Sequence, residues 1–407
     1  MKIDPQAIWK QAQAILPWVT EVRRDFHQYP EFGMEEFRTR DQIIHYLEEM
    51  DIPYQVVAGT GVVGLIEGHR PGAVVALRGD IDALPIEEEN DVPYRSKVPG
   101  KMHACGHDAH TTVLLGAAKL LQEQRAKISG VIKLFFQPAE ETVGGAVPMI
   151  EAGVMENPRV DAVFGLHVAP ELPAGQIAVK YGQVNAASDT LNILVKGENG
   201  HGAYPHKGRD AIVIAAHVIT ALQTIVSRNV DPREAAVVTL GVIQGGTQGN
   251  ILAREVKLTG TIRTMNRHTR TLVKERVREV AELTARSLGG EAIVSLEEGY
   301  TALINDNRMV DLVKQCGEEL LGKEHVSVLE AASMGVEDFA FFAEQAPAAF
   351  FQLGCRNDQT GCVYPLHHPR FNLDESCLAV GVAMQVYNAL SFLQAQAEAS
   401  LLESNPV

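Results

Sequence analysis

Cationic side chains are in short supply in this chain: 36 Lys and Arg stand against 51 Asp and Glu, a formal net charge of −15 at pH 7. Nucleic acids and anionic membrane surfaces are bound by clustered Lys and Arg, so neither is expected as a partner. Cysteine is scarce too. Five residues, at positions 105, 316, 355, 362 and 377, are odd in number and scattered, which argues against a disulfide framework. No uninterrupted apolar run approaches the length needed to span a bilayer, and the N-terminal MKIDPQAIWKQAQ lacks the apolar core of a signal peptide. A cytoplasmic protein is therefore expected. Tandem repeats and low-complexity stretches are also missing. What remains is an ordinary globular composition, 46% hydrophobic and 21% charged over 407 residues, long enough for more than one domain.

The chemistry concentrates in KMHACGHDAH, which places His103, Cys105, His107, Asp108 and His110 within eight positions. Apolar residues at helical spacing follow from Thr111 to Gln124, which predicts that the cluster sits at a helix N-terminus. Cys105 and His107, two residues apart, can reach one cation together, because borderline-soft metals take thiolate sulfur and imidazole nitrogen. Taken singly, each residue has a plainer reading: Asp108 as a helix cap, Cys105 as a small hydrophobe. Five together favour a site, which the rest of the chain must complete.

Residues 5–28 and 35–50 read as helices separated by the breakers Pro30 and Gly33. GTGVVGLIEG holds a short strand. An apolar strand from Ala73 to Leu77 leads into Asp80 and Asp82. A second, Val131 to Phe136, runs into Gln137, Pro138, Ala139, Glu140 and Glu141. Adjacent carboxylates on extended chain point in opposite directions, so Glu141 is expected to face a metal and Glu140 the water to be activated. A third strand, Val160 to Leu166, is expected to end in His167. In an open sheet flanked by helices, ligands gather beyond the C-terminal ends of the strands, and three successive endings carry ligand-type side chains.

From residue 185 to 297 the pattern changes to strand, helix, two strands, helix and strand, the split βαβ order of a ferredoxin-like sandwich. This α+β lid is expected to interrupt an α/β catalytic domain, formed by 1–184 and 298–407 around a mostly parallel central sheet. The lid loops carry His201 and His206 among glycines, then Asn250 ahead of a strand leading to Arg263. After 298 come a helix (Asn307 to Leu321), a buried strand (Ala348 to Leu353) and a final helix from about Ser376. His367 and His368 lie in a loop bounded by Pro365 and Pro369. Either one is a candidate to close the metal site.

Laid out in order, RRDFHQYPEFGMEE, LRGDIDALP, MHACGHDAH, QPAEE, GLHV, GHGAYPH and LHHP resemble the metal-dependent amidohydrolase branch of the aminoacylase and glutamate carboxypeptidase superfamily. That branch includes hippurate hydrolase, indole-acetyl amino acid hydrolases and N-acetyldiaminopimelate deacetylase. The resemblance spans nearly the whole chain. It implies a metallopeptidase-type catalytic domain and one or two divalent ions, zinc, manganese, cobalt or nickel, held by Cys105, His107, Glu141, His167 and His367. Glu140 is then the general base, His201 steadies the oxyanion, and His201 and Asn250 touch substrate, in some relatives from the second subunit of a dimer. Arg263 or Asn250 would hold the substrate carboxylate, a group whose geometry a guanidinium fork matches. The implied reaction is hydrolysis of a small-molecule N-acyl amino acid by a homodimer or higher homo-oligomer, with a dipeptidase or carboxypeptidase as the alternative. Asp80 stands where many members of the superfamily have a histidine, and Cys105 where they have a bridging aspartate. Both changes fit this branch.

Overall fold

The computed structural model describes residues 3–404. In chain order its strands are β1 (Tyr54–Val57), β2 (Gly61–Glu67), β3 (Arg70–Asp80), β4 (Ser129–Gln137), β5 (Ala162–Pro173), β6 (Ile177–Val179), β7 (Gly182–Asn185), β8 (Ala187–Lys196), β9 (Gly200–His201), β10 (Ala236–Gly245), β11 (Ile251–Leu252), β12 (Glu255–Thr264), β13 (Glu291–Glu298), β14 (Leu303–Asn305), β15 (Val326–Val328) and β16 (Ala348–Arg356). The helices are α1 (Pro5–Gln28), α2 (Phe37–Glu49), α3 (His107–Glu123), α4 (Ala146–Glu151), α5 (Ala211–Arg228), α6 (Arg267–Ser287), α7 (Asn307–Leu321), α8 (Phe339–Gln345) and α9 (Cys377–Ser404).

The described chain divides into two compact units. One comprises 3–182, 304–331 and 338–404; the other comprises Gln183–Leu303 and returns for Ala332–Glu337. That short return has no signature in the sequence pattern.

The first unit is built on an eight-stranded sheet in the order β1-β2-β4-β3-β5-β16-β6-β15. Its centre, β4-β3-β5-β16, is parallel, and antiparallel pairs flank it. Central parallel strands are covered on both faces and so read as continuous apolar runs. In β4, Leu134 and Phe136 join the main core with Leu114 of α3 and Val382 of α9, while Phe135 turns the other way to meet Phe342 of α8, ring centroids 5.3 Å apart. Each such apolar side chain contributes about 1.5–3 kcal/mol on burial.

Two sequence expectations are corrected here. β5 does not end at Leu166 but runs on to Pro173, so His167 lies inside a strand. The pairing of β5 with β3 stops earlier, at Arg78 with Gly165, so His167 stands just beyond the last paired level of β3, abreast of its C-terminal end. Residues after Gln137 form a turn rather than extended chain, with Ala139 at φ 56°, so strand alternation does not set the directions of Glu140 and Glu141. Among the described helices, α5 and α9 are long and apolar enough to cross a membrane by length and mean composition, though neither is an uninterrupted apolar run. α9 is the central helix of the first unit's core, and α5 lays one face on the second unit's sheet.

The second unit is an antiparallel sheet in the order β10-β12-β8-β13, the ferredoxin-like strand order. Alternate residues Leu191, Ile193 and Val195 of β8 and Val256 and Leu258 of β12 pack with Val218 and Leu222 of α5 and Val273 and Val277 of α6. Asp210 caps α5 by accepting from Ile212 N–H at 3.0 Å, and Asn266 caps α6 by accepting from Thr269 N–H at 2.8 Å.

Candidate metal centre

Gly106 starts the construction. It precedes α3 with φ 83°, a conformation that only glycine takes without cost, and a Cβ there would stand 2.4 Å from Val168 Cγ2. The close approach to β5 sets Cys105 and His107 against His167. Cys105 Sγ lies 3.4 Å from His167 Nε2 and 3.3 Å from His367 Nε2. Glu141 Oε1 stands 3.0 Å from His367 Nε2. His107 completes the set, its ligand atom within 4.8 Å of those of Cys105 and His167, and of those of Glu140 and Glu141. The five residues implied as ligands are thus brought together within the first unit.

Hydrogen bonds then decide which nitrogens keep a lone pair. His107 Nδ1 faces Asp82 Oδ1 at 3.0 Å. A carboxylate only accepts, so Nδ1 carries a proton, and Nε2 is the nitrogen left to meet a cation. His167 Nδ1 donates to the Val168 carbonyl at 2.8 Å, which directs its Nε2 toward the sulfur in the same way. His110 is the contrasting case. Its Nδ1 donates to Asp80 Oδ1 at 2.6 Å and its Nε2 accepts the Val168 N–H at 2.9 Å, so neither nitrogen is left for a cation. Burial lowers its pKa to about 4, keeping it a neutral structural link. His103 lies outside the group: it is buried, its ring stands 6.5 Å from that of His27, and burial lowers its pKa to about 3. His368 stacks on Tyr364, 4.6 Å between centroids, so His367 alone of the pair reaches the centre.

A divalent ion fits these residues. His107 Nε2 is buried without a hydrogen-bond partner, an atom a cation would satisfy. Burial pushes the Cys105 thiol well above its ordinary range, so a thiolate there calls for positive charge beside it. His107 shows the converse: burial opposes its charge, yet Asp80 and Asp82 outweigh burial and hold its pKa well above the ordinary value, so positive charge is favoured there and a cation at Nε2 would take the place of a proton. Cys105 belongs to two candidate ligand groups at once, one with His107 and His167 and one with Glu141 and His367.

A buried polar frame holds the ligands. Asp108, offered by the sequence as a helix cap, instead accepts from Arg23 Nε at 2.7 Å and meets His27 Nδ1 at 2.8 Å. Asp80 is gripped by Arg78 at 2.5 Å, which also donates to Gln137 and Asp338. Asp82 reaches two ligand residues: beyond orienting His107, its Oδ2 accepts the Glu141 N–H at 2.9 Å. Removing such an orienting group costs roughly 10–100-fold in metal affinity. Asp82→Ala is expected to lose metal to a chelator that wild type resists, read by competition titration. An unchanged affinity would mean that His107 is oriented by something else.

In the second unit, β9 pairs with β11, setting His201 opposite Ile251. The neighbouring Asn250 carbonyl accepts the Gly202 N–H at 2.8 Å. Both side chains are exposed. His201 Nδ1 accepts the Ala203 N–H at 3.0 Å, which places the proton of the neutral ring on Nε2 as a donor. Arg263 is half-buried with Nη1 partnerless, and burial lowers its pKa.

Comparison with known proteins adds the following. Residues 76–389 match the model of peptidase family M20/M25/M40. An N-acetyl-L-cysteine deacetylase of Bacillus subtilis is 42% identical over 359 residues, covering 88% of this chain and 84% of the relative. A thermostable carboxypeptidase of Saccharolobus solfataricus is 38% identical over 380 residues, covering 92% and 95%. Among solved structures, a dinuclear metal-binding peptidase of family M20 from Bacillus subtilis superposes with a TM-score of 0.82 at 35% identity, covering 94% of this chain and 99% of that one.

Proposed function

Since the chain belongs to peptidase family M20/M25/M40 and is a metal-dependent hydrolase, we propose that it hydrolyses the amide bond of N-acyl amino acids, releasing a carboxylic acid and a free amino acid. The observation that carries this reading is the Cys105 sulfur set between two imidazoles, beside a turn bearing adjacent carboxylates. The likeness to an N-acetyl-L-cysteine deacetylase supports the same substrate class.

Cys105, His107, Glu141, His167 and His367 would hold the metal. A divalent ion there supplies Lewis acidity that polarises an acyl carbonyl and makes water a nucleophile near neutral pH. Glu140, on the same turn as Glu141 and buried, takes the proton of the attacking water and returns it to the leaving amine. His201 donates from Nε2 to the developing oxyanion. Arg263 or Asn250 receives the substrate carboxylate; the partnerless N–H of Arg263 favours a charged acceptor. Arg263→Met is expected to raise KM by roughly 10-fold or more, the worth of a charge-assisted hydrogen bond. An unchanged KM in Arg263→Met would place carboxylate recognition elsewhere.

Peptide cleavage by the same centre is the second reading, favoured by the likeness to a carboxypeptidase. Purified protein assayed on benzoyl-, acetyl- and indole-acetyl-amino acids and on dipeptides, before chelation, after it, and after return of zinc, manganese, cobalt or nickel, separates the two. Chelation-sensitive release of acyl acids supports the first reading, and cleavage of dipeptides alone supports the second. A homodimer formed through the lid and a cytoplasmic setting complete the proposal. Sedimentation of the native protein at a monomer's mass would remove the dimer from it.

A further inference from the structure

We propose that Glu36 is a positioning residue which, by accepting the Ala139 N–H, holds the turn that carries Glu140 and Glu141. The inference rests on the assignment of Glu140 as base. Glu36 is fully buried at the start of α2. Its Oε1 accepts the Ala139 N–H at 2.9 Å and its Oε2 accepts the Thr60 hydroxyl at 2.5 Å. Burial pushes its carboxyl up to about 7, so its charge is carried at a cost that these donors offset.

Ala139 is where the turn needs holding. At φ 56° its Cβ crowds the backbone, a conformation that persists only when its surroundings enforce it. The loop before α2 supplies that enforcement. A Cβ on Gly33 would stand 2.3 Å from Thr142 Oγ1 and 2.9 Å from Ala139 Cα, so bare backbone lies directly on the turn. The same loop braces the other acidic turn, because the Glu31 carbonyl accepts the Ala83 N–H at 2.9 Å and Phe32 bridges to Ala83. The segment from Gln137 to Ala146 is pinned at three amides by three carboxylates: Ala139 by Glu36, Glu141 by Asp82, and Ala146 by Asp338. Asp82 and Asp338 also serve His107 and Arg78. Glu36 comes from a distant part of the sequence and joins this turn to Thr60.

The test compares Glu36→Ala, Glu36→Gln, Ala139→Gly and the double variant Glu36→Ala/Ala139→Gly as metal-loaded full chains on the substrate wild type turns over fastest. Misplacement of a catalytic group by about 1 Å costs on the order of 100-fold, so Glu36→Ala is expected to lower kcat by about 10- to 100-fold with KM and metal content little changed. Glu36→Gln keeps an acceptor for Ala139 and recovers most of that loss. Ala139→Gly recovers several-fold in the Glu36→Ala background, because glycine takes positive φ freely. Hydrogen exchange supplies a readout independent of turnover: amides 139–144 exchange faster in Glu36→Ala while those of β4 do not. If Glu36→Ala does not fold, Thr60→Val, which removes a donor from Glu36, carries the same expectation at smaller amplitude. Unchanged kcat overturns the proposal, as does a loss that Ala139→Gly cannot relieve, or unchanged exchange at 139–144. If no substrate in the panel is turned over, the functional reading fails, and exchange still decides whether Glu36 holds the turn.

Discussion

Glu140→Gln is expected to lower kcat by roughly 10²–10⁴-fold, the contribution of a positioned general acid–base group, while bound metal stays at its wild-type amount. The two halves of this result come from the division of labour on one turn. Glu141 presents Oε1 to His367 and lies in the ligand group with Cys105. Glu140 is its neighbour and is 8% exposed, close enough to the centre to reach a water there and shielded enough for its charge to matter. Glutamine keeps the size and the hydrogen-bonding oxygen but cannot take a proton. Elemental analysis beside steady-state kinetics reads both quantities. Loss of metal together with activity would make Glu140 a ligand, and retention of kcat would remove it from the mechanism.

Arg23→Met is expected to destabilise the protein by about 3–5 kcal/mol, the usual cost of removing one partner from a buried ion pair, and to lower Tm by on the order of 10 °C. Arg23 and Asp108 are both fully buried and 2.7 Å apart. Burial alone would raise the Asp108 pKa, but Arg23 and His27 outweigh it and hold the carboxyl far below the ordinary range. A depressed carboxylate contributes stability that is fully present above its unfolded pKa of about 3.9 and is lost as pH falls through the folded value. The gap in Tm between wild type and Arg23→Met is therefore expected to stay open from neutral pH down to about 4 and to narrow as pH falls further below it. A gap that stays constant over that range would mean that Arg23 contributes packing rather than charge. Because Asp108 follows His107 in α3, the variant should also bind metal less tightly.

The kinds of residue that form this centre were legible from the chain alone. Cys105 and His107 declare themselves by spacing, Glu140 and Glu141 by following an apolar strand, and the lid by its alternation of strands and helices. These are local signals: ligand softness belongs to a side chain, and hydrophobic period belongs to a segment. What the sequence leaves open is which candidate keeps a free lone pair. His110 has the same chemistry as His107 and lies three residues away, yet the Val168 N–H, contributed by another strand, occupies its second nitrogen. His367 and His368 are equivalent as letters, and the fold turns one to Cys105 and the other onto Tyr364.

Asp108 reads as a helix cap until Arg23 arrives from 85 residues away. His167 reads as a strand ending until pairing with β16 carries β5 onward to Pro173. The acidic pair reads as extended chain until the contact with Glu36 and the backbone at Gly33 close it into a turn. The sequence determined which atoms are able to bind metal and which segments bury themselves, because both follow from side-chain chemistry and period. The tertiary structure alone decided which of those atoms remain available, because a lone pair is kept or spent by whatever donor or acceptor the fold brings beside it.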